Sequence, residues 1–353
     1  MDPNIAFGYM VDTAVAMRAS DIHIVAGIPI RVRVDGKLVN MNDQVMTEAA
    51  CEALARSLSV TYDEMAHIGE QDLAVTTPDG IRCRINIFRQ QGTVSLAVRL
   101  LNEAIPQFHE LGLPPVVQNF TNFNHGIVLV TGETGSGKST TLACILDMIN
   151  HSQQKHIITL EDPIEYIYHP DLCVVNQREI GQDTRSYEDG LKAILREDPD
   201  VILIGELRHR STIETALVAA ETGHLVFATL HTNSAADTVG RIVDVFPADQ
   251  QDQIRLQLSM TLRAVVSQQL LPCSAGMGRV LATEVMVVNP AIRNLIREGK
   301  TPQINNVIAT SSAEGSILMD NSLVKLYKER KITRSTAVYA AHDTSYVEKL
   351  TFL

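Results

Sequence analysis

IVLVTGETGSGKST, residues 127–140, predicts a β-strand that leads directly into a phosphate-binding loop. The residues after the strand match the Walker A pattern: Gly132, Glu133, Thr134, Gly135, Ser136, Gly137, Lys138, Ser139 and Thr140. Glycines allow a tight turn that brings backbone N–H groups around a polyphosphate, and the helix that begins near Lys138 directs its positive end at the same phosphates. We expect Lys138 to reach the β- and γ-phosphates and the Ser139 hydroxyl to bind Mg²⁺. The stretch therefore predicts a nucleotide-binding site, and a glycine-rich turn without a ligand is the alternative.

The composition indicates a folded protein with more than one domain, because 353 residues exceed the ~150 typical of one. The net charge of −11 disfavours general nucleic-acid binding, so no nucleic-acid partner is expected. No apolar run approaches the ~18 residues needed to cross a bilayer, and the N-terminus lacks the basic segment of a signal peptide. We therefore expect a cytoplasmic protein. Its five cysteines include no C-x-x-C pair, which indicates buried thiols rather than disulfides or a zinc site.

Residues 1–101 have the pattern of a small α+β domain. Strands are predicted at 22–25, 30–34, 72–76, 81–88 and 94–101, with a hairpin turn at Asp35-Gly36 and a helix over 47–57. Residues 102–116 contain three prolines and little periodicity, which predicts an interdomain linker.

From residue 117 to 353, short apolar segments alternate with helical stretches, the pattern of a parallel sheet with crossover helices. Strands are predicted at 127–131, 156–161, 201–204, 225–229 and 282–288, and the tail from about residue 302 is predicted to be mostly helical. The fold class is therefore α/β.

Two further predicted strands end in carboxylates. DPDVILIGE, residues 198–206, is an apolar strand of the Walker B kind, which places Glu206 near the Mg²⁺ and the attacking water. The strand from residue 156 ends in Glu161, Asp162 and Glu165, which are suited to orient water, accept its proton or hold Mg²⁺. For Glu206, the alternative is an exposed glutamate at the end of an ordinary strand. For the cluster of Glu161, Asp162 and Glu165, it is a solvated acidic turn.

A third strand, at 225–229, has His224 before it and His231 after it. Imidazole near a γ-phosphate can contact it and report its loss, whereas a lone histidine at a strand end is usually a polar cap. A helix is expected before this strand, with Ser211 and Glu214 as its capping box and Gly223 at its far end.

Arginines lie on the last two predicted strands of the N-terminal domain. Arg82 and Arg84 are two residues apart and hence on one face, and Arg99 lies on the next strand. One of them would act as an arginine finger if it reached the γ-phosphate. The alternative is that they are ordinary surface arginines on a half-exposed sheet.

The order of these motifs resembles the secretion and type IV pilus ATPase superfamily. EDPIE at 161–165, DPDVILIGE and GHLVFATLHT at 223–232 follow Walker A as the Asp box, Walker B and His box do there. ASDIH at 19–23 and RVDGKL at 33–38 are similar to the N-terminal domain of that family, so the resemblance covers nearly the whole chain.

AIRNLIREGK, residues 291–300, is similar to the C-terminal signature of the PilT-like retraction branch of this superfamily. Its spacing predicts an amphipathic helix with Ile292, Leu295 and Ile296 on the apolar side. The chain lacks the four-cysteine cluster of many extension and type II secretion ATPases. It departs from the branch at His209, where an acidic residue is common.

The resemblance implies a homohexameric ring of subunits with a PAS-like N-terminal domain and a RecA-like ATPase domain. ATP and Mg²⁺ would lie between the domains, with Arg84, Arg99 and then Arg82 above the P-loop. The attacking water would be arranged by Glu206, Glu161 and Glu165. Which of these three carboxylates is the general base stays open.

The implied activity is ATP hydrolysis that powers type IV pilus retraction at the inner face of the cytoplasmic membrane. The partners would be a membrane platform protein, an extension ATPase and a PilT-like paralogue. Three alternatives remain: a secretion traffic ATPase, a paralogue that only assists retraction, and a nucleotide-gated binding module without turnover.

Overall fold

The structure is a computed structural model that describes residues 3–34, 36–101, 104–276 and 278–352. The predicted turn residue Asp35 and the first two residues of the predicted linker, Asn102 and Glu103, lie outside the described residues. Among the described residues, no helix combines the length and the apolar character that crossing a membrane requires.

The chain divides into two units. Unit 1 comprises Met1–Ala104 and the later segment Pro163–Ile167, and unit 2 comprises Ile105–Asp162 and Tyr168–Leu353. The later segment belongs to unit 1 because it packs there: Arg82 Nε donates a hydrogen bond to the Ile164 carbonyl at 3.0 Å. Sequence spacing had grouped this segment with the second domain.

Unit 1 is a six-stranded antiparallel sheet with helices on one face, in the order β3-β2-β1-β6-β5-β4. Its elements are α1 (Pro3–Ala16), β1 (Asp21–Ile24), β2 (Pro29–Val34), β3 (Lys37–Val45), α2 (Glu48–Leu58), α3 (Tyr62–Ile68), β4 (Glu70–Thr76), β5 (Arg82–Gln90) and β6 (Thr93–Leu100). Strand β5 shows why the sheet has two different faces. Its residues Cys83 and Ile85 are fully buried, whereas Arg82 and Arg84 point to the other side, as predicted from their spacing.

Unit 2 is a seven-stranded sheet in the order β13-β12-β7-β11-β10-β8-β9. Its elements are β7 (Gly126–Thr131), α4 (Lys138–Ser152), β8 (His156–Glu161), β9 (Val174–Glu179), α5 (Tyr187–Ile194), β10 (Val201–Ile204), α6 (Arg210–Glu221), β11 (Leu225–Leu230), α7 (Ala235–Asp244), α8 (Ala248–Thr261), β12 (Leu262–Pro272), β13 (Arg279–Val287), α9 (Pro290–Arg297), α10 (Ile304–Thr310), α11 (Met319–Lys328), α12 (Arg334–Ala340) and α13 (Thr344–Leu350). The residues of β7, β10 and β11 are buried throughout, because helices cover both faces of a parallel sheet.

The sheet of unit 2 is not wholly parallel, and the prediction was wrong on this point. Strand β13 runs antiparallel to β12, which in turn runs parallel to β7. The sequence pattern missed β12 and β9. Strand β12 begins directly after α8 with no turn residue between them, so nothing in the sequence separates the two.

The predicted capping box of α6 is also wrong. The helix begins at Arg210 with His209 as its N-cap, and no side chain caps it, so Ser211 already lies inside the first turn. The far end is as predicted, because Gly223 has φ +112°, a backbone conformation that glycine adopts readily.

The C-terminal helices pack against β13. The buried side chains of this cluster are Ala282, Met319, Leu323, Val324, Leu326, Ile332, Ala337 and Val347. Asp320 in α11 accepts hydrogen bonds from the backbone N–H groups of His342 and Asp343, at 2.8 and 3.0 Å. This fixes the loop between α12 and α13.

Candidate active site

The phosphate-binding loop (P-loop, Gly132–Thr140) joins β7 to α4. Gly132, Gly135 and Gly137 have φ values of +139°, +82° and +91°, which side chains with a Cβ rarely adopt. A Cβ on Gly132 would lie 2.4 Å from the Gln268 carbonyl oxygen and 2.6 Å from Ser136 Oγ. The loop therefore needs glycine at this position for a close approach to β12 as well as for its turn.

Lys138 lies within the loop, 8% exposed, and its Nζ donates to the carbonyls of Gly132 and Glu133 at 2.9 Å each. Ser136 Oγ is buried and has no hydrogen-bond partner among the described residues. A buried hydroxyl without a partner is uncommon, because desolvation without a hydrogen bond costs about 1–3 kcal/mol. The loop therefore fits an anionic phosphate that would bring new acceptor oxygens.

The P-loop site could hold Mg²⁺ through a protein hydroxyl group and the phosphates of the nucleotide. Among the described residues, no group of three or more His, Cys, Asp or Glu is arranged to hold a metal ion. Mg²⁺ in nucleotide sites usually keeps several waters and takes few protein ligands besides the phosphates. Ser139, half-buried in the first turn of α4, fits this kind of site. When bound, the ion would neutralise charge on the phosphates.

The sheet order brings most of the predicted residues to one edge. β7, β11, β10 and β8 are successive neighbours and run parallel, so the P-loop, His231, Glu206 and Glu161 all follow or end strands at the carboxyl edge. At about 4.8 Å between strands, β10 lies about 10 Å and β8 about 14 Å from β7. His231 therefore stands between the P-loop and Glu206.

Glu206 is a carboxylate at this edge with two basic partners. Its Oε1 lies 2.6 Å from Arg208 Nε and 3.2 Å from His231 Nε2, and its side chain is 19% exposed. Burial raises the pKa of Glu206, but the hydrogen bonds and charges of Arg208 and His231 outweigh it, so the pKa lies below its ordinary value. Glu206 is therefore held ionised at neutral pH.

Tyr187 is a residue of this edge that the sequence pattern missed. A Cβ added to Gly205, the residue before Glu206, would lie 2.8 Å from the Tyr187 hydroxyl. Burial, and then the negative charges of Asp162, Glu161 and Glu206, raise the pKa of Tyr187 above its ordinary value. The hydroxyl therefore stays protonated beside three carboxylates. Nothing in its spacing along the chain indicates this position.

The three acidic residues Glu161, Asp162 and Glu165 differ in how far they are buried. Glu161 is 9% exposed, and its Oε1 accepts from Thr159 Oγ1 at 2.6 Å and from Gln177 Nε2 at 3.3 Å. Asp162, the next residue, is exposed. Glu165 is also exposed and belongs to unit 1.

His224 is not brought to this edge. It directly precedes β11, its carbonyl accepts from the Gly126 N–H at the start of β7, and its Nδ1 lies 2.9 Å from the Ala219 carbonyl. It is therefore at the amino edge of the sheet, and within unit 2 about 17 Å of strand separates it from the P-loop edge.

The arginines form a charged row on the exposed face of unit 1. Arg84 and Arg99 are direct neighbours across β5 and β6, and Asp21 lies opposite Arg99 on β1. Arg99 Nε is 3.0 Å from Asp21 Oδ1, and Arg84 Nε is 3.8 Å from Asp72 Oδ1. The two aspartates offset the repulsion expected between like charges that lie directly opposite each other.

These arginines and aspartates line a shallow cavity of about 240 Å³ in unit 1, together with His23 and Asn86. Burial raises the pKa of Asp21, but hydrogen bonds from Ser20 and Arg99 outweigh it, so this pKa lies below its ordinary value. Arg82 lies outside this lining and instead contacts the Ile164 carbonyl.

Helix α9 carries most of the AIRNLIREGK segment and is amphipathic, as predicted. Ile292 and Ile296 are fully buried, Leu295 is half-buried, and Arg293 and Arg297 are exposed. Asn289 caps the helix by accepting from the Ile292 N–H at 3.0 Å.

Comparison with known proteins supports the resemblance drawn from the motifs. The family model described as "Type II/IV secretion system protein" matches residues 5–343. The chain is 43% identical to the type IV pilus retraction ATPase PilT of Pseudomonas aeruginosa over 321 residues, which cover 90% of this chain and 93% of that protein. It is 37% identical to the type IV pilus ATPase PilU of the same organism, over 92% of this chain and 85% of that one.

A crystal structure of the pilus retraction motor PilT with bound ADP superimposes with a TM-score of 0.91 at 46% identity, covering 97% of this chain and 98% of that one. The predicted fold class, a PAS-like domain followed by a RecA-like ATPase domain, is thereby confirmed. The chain belongs to the type II/IV secretion system protein family, and within it is similar to the pilus retraction ATPases.

Proposed function

We propose that this chain is a hexameric motor ATPase that hydrolyses ATP to power type IV pilus retraction, and thereby pilus disassembly and twitching motility. The observation that carries the proposal is the P-loop geometry in a chain that is similar to a pilus retraction ATPase over 90% of its length. ATPase activity follows from the same similarity, together with Glu206, an ionised carboxylate at the P-loop edge.

The roles of the residues follow their positions in unit 2. Gly132–Thr140 holds the phosphates, Lys138 contacts the β- and γ-phosphates, and Ser139 binds Mg²⁺ with help from Glu206 and Asp162. Of these two carboxylates, Glu206 is the more constrained, so we expect it to act chiefly on the attacking water.

The remaining predicted residues complete the catalytic set. His231 contacts the γ-phosphate and Glu206, and Glu161 and Glu165 act with Glu206 on the water. Arg84, Arg99 and Arg82 supply the positive charge that stabilises phosphoryl transfer. His224 has the weakest support, because it lies at the amino edge.

We propose that residues 1–101 and 117–353 act as two domains that are joined by the linker 102–116. Loss of the γ-phosphate lets each site open, and the change passes around a homohexameric ring. We propose a cytoplasmic ring at the inner face of the membrane that turns a platform protein at the pilus base. An extension ATPase and a PilT-like paralogue would be its further partners.

Two other functions compete with this one. A secretion traffic ATPase would use the same ATP chemistry, and the AIRNLIREGK helix weighs against it. A nucleotide-gated binding module would show negligible turnover. Steady-state phosphate release from the purified protein separates this module from both ATPases.

The test of the motor uses cells in which the native copy is replaced by variants. Ile292 is fully buried, so substitution there would disturb the core of unit 2 rather than its surface. Arg293→Ala with Arg297→Ala changes only the exposed side of α9. The matched control is Lys325→Ala with Lys328→Ala on the exposed side of α11, which removes the same charge.

We expect the α9 variant to keep its ATPase activity and lose pilus retraction, and the α11 control to keep both. If deletion leaves retraction intact and blocks protein export, the secretion function is correct instead. If both variants retract normally, α9 is not the coupling surface.

A further inference from the structure

A groove of about 700 Å³ lies between α8 and α9 in unit 2, with Arg263 at the start of β12 in its lining. The start of β12 pairs with the start of β7, and the end of β7 leads into the P-loop. The groove is therefore at the amino edge of the sheet, away from the nucleotide site. We call it the amino-edge groove.

Three arginines line the amino-edge groove without a carboxylate beside them. Arg263 is half-buried and donates to the carbonyls of Met260 and His125 at 3.0 Å each. Burial, and then the charge of Arg293, lower the pKa of Arg263 below its ordinary value. None of Arg263, Arg293 and Arg297 forms an ion pair with a carboxylate of the described residues. Uncompensated positive charge thus collects at one place in a chain of net charge −11.

The same groove presents apolar side chains to solvent. Leu256 and Met260 are 45% and 47% exposed and lie one turn apart on one face of α8. Adjoining apolar side chains that are rimmed by polar groups are typical of an interaction site. The groove is therefore suited to a partner that carries carboxylates next to an apolar group.

A peptide segment meets these requirements better than an anionic membrane does. The net charge of −11 repels an extended anionic surface, whereas a single segment can enter the concave groove and approach its arginines alone. A guanidinium can also pair with a carboxylate through two parallel hydrogen bonds.

The amino-edge groove is joined to the P-loop through two neighbouring strands. A Cβ on Gly126, the first residue of β7, would lie 2.6 Å from Arg263 Cγ, so this arginine rests on the start of that strand. At the other end, β7 enters the P-loop, and β12 approaches Gly132 through the Gln268 carbonyl. A load on the groove would therefore act on the strands that carry the nucleotide site.

We propose that the amino-edge groove docks an acidic peptide segment of the membrane platform protein. The carboxylates of the segment pair with the three arginines, and an apolar side chain packs on Leu256 and Met260. The inference rests on the proposed function, because it takes the platform protein as the partner. It adds the α8 wall and Arg263 to the exposed side of α9, and it specifies the chemistry of the docked segment.

The test titrates the full-length chain with fluorescent peptides that tile the cytoplasmic segments of the platform protein from the same organism. We expect a tile with carboxylates beside an apolar residue to bind, and to bind more weakly as the NaCl concentration rises. The same tile with amides in place of its carboxylates should bind at least about tenfold more weakly, which equals about 1.4 kcal/mol. The proposal is overturned if no acidic tile binds, if the amide tile binds equally well, or if only phosphatidylglycerol vesicles bind.

Groove variants locate the binding. Met260→Glu puts a carboxylate among the arginines and should weaken binding of the acidic tile at least about tenfold. Arg293→Gln, on the exposed side of α9, should also weaken it. The matched control is Leu172→Glu, because Leu172 is 48% exposed and lies outside the groove. Thermal melts check that each variant is folded. Normal binding by both groove variants, or an equal loss in the control, would place the tile elsewhere and refute the proposal.

These outcomes are distinct from those of the motor proposal. A chain that hydrolyses ATP and supports retraction but binds no tile would refute the docking site and leave the motor standing. A chain that binds the acidic tile through the groove but shows no turnover would refute the motor and leave the docking site standing.

Discussion

Gly132→Ala is the substitution for which the structure makes the sharpest prediction. The residue has φ +139°, and an alanine there would occupy a backbone conformation that costs about 1–3 kcal/mol for residues with a side chain. The new Cβ would also lie 2.4 Å from the Gln268 carbonyl oxygen, where ordinary contact begins at 3.4 Å. The Gln268 carbonyl belongs to the backbone of β12, so the P-loop must move away from it.

The size of the effect follows from that displacement. The loop has to shift by about 1 Å, and a misplacement of this size can lower a rate about 100-fold. Binding of phosphate depends on the direction of the backbone N–H groups, which turn with the loop. We therefore expect ATP hydrolysis at least about 100-fold slower than in the wild type, together with weaker binding of ATP and a lower melting temperature.

The assay is equilibrium titration with a fluorescent ATP analogue, together with phosphate release and a thermal melt. The control is Gly240→Ala in α7, where an added Cβ meets no atom within 4 Å. It should bind the analogue normally and gain about 0.5–1 kcal/mol of stability, because alanine favours the helix. If Gly132→Ala binds within about threefold of the wild type, the close approach of the loop to β12 is refuted.

Three further predictions follow. Lys138→Ala should lose nucleotide binding, whereas Glu206→Ala should bind ATP and hydrolyse it slowly, and phosphate release equal to the wild type would remove Glu206 from the mechanism. Because the pKa of Glu206 in the folded chain lies below its ordinary 4.5, its contribution to stability is complete above pH 4.5 and is lost as the pH falls through the folded pKa. Melting curves from pH 6 to 3 should therefore fall less steeply for Glu206→Gln than for the wild type, and parallel curves would contradict this. Burial raises the pKa of the Cys83 thiol to about 12, and Cys273 is the one cysteine that is not fully buried. A thiol reagent at pH 8 should therefore label Cys273 first and the others only in denaturant, and rapid labelling of Cys83 in the native protein would contradict the packing.

The strands that the sequence predicted well are those buried on both faces. Strands β8 and β10 match their predicted bounds, and β7 and β11 differ by one residue. Their aliphatic runs are bounded by polar or glycine residues, so local pattern and tertiary structure agree. The same agreement explains why the sequence pattern alone places Glu206 and Glu161 at strand ends.

Strands β12 and β9 depend on their neighbours instead. The β12 sequence LRAVVSQQLLP mixes residues that favour helices with residues that favour strands, and it continues from α8 without a break. It is a strand because it lies between β7 and β13. Strand β9, VVNQRE, is a polar edge strand whose pairing with β8 leaves no periodic signal. These pairings between strands that are far apart in the chain cannot be predicted from a single sequence.

His224 shows a limit of a different kind, because the necessary signal was present. A residue just before a parallel strand lies at the amino edge, and the P-loop follows the carboxyl end of its own strand. The two histidines that flank β11 are therefore a full strand apart, and only His231 can meet Glu206 within unit 2. The direction of each strand decides this, and motif spacing alone does not.

Tyr187 and Tyr339 show what strand direction still leaves out. Tyr187 is the first residue of α5, and it reaches the site only because Gly205 has no side chain to exclude its hydroxyl. Tyr339 comes more than 190 residues after the P-loop and lines one cavity with residues 133–136 of that loop, while Asp320 fixes the segment that follows Tyr339. In both cases a residue elsewhere in the chain creates the proximity, so neither tyrosine could be assigned from its own neighbours in sequence. Gly205→Ala should therefore displace the Tyr187 hydroxyl, because the added Cβ would lie 2.8 Å from it.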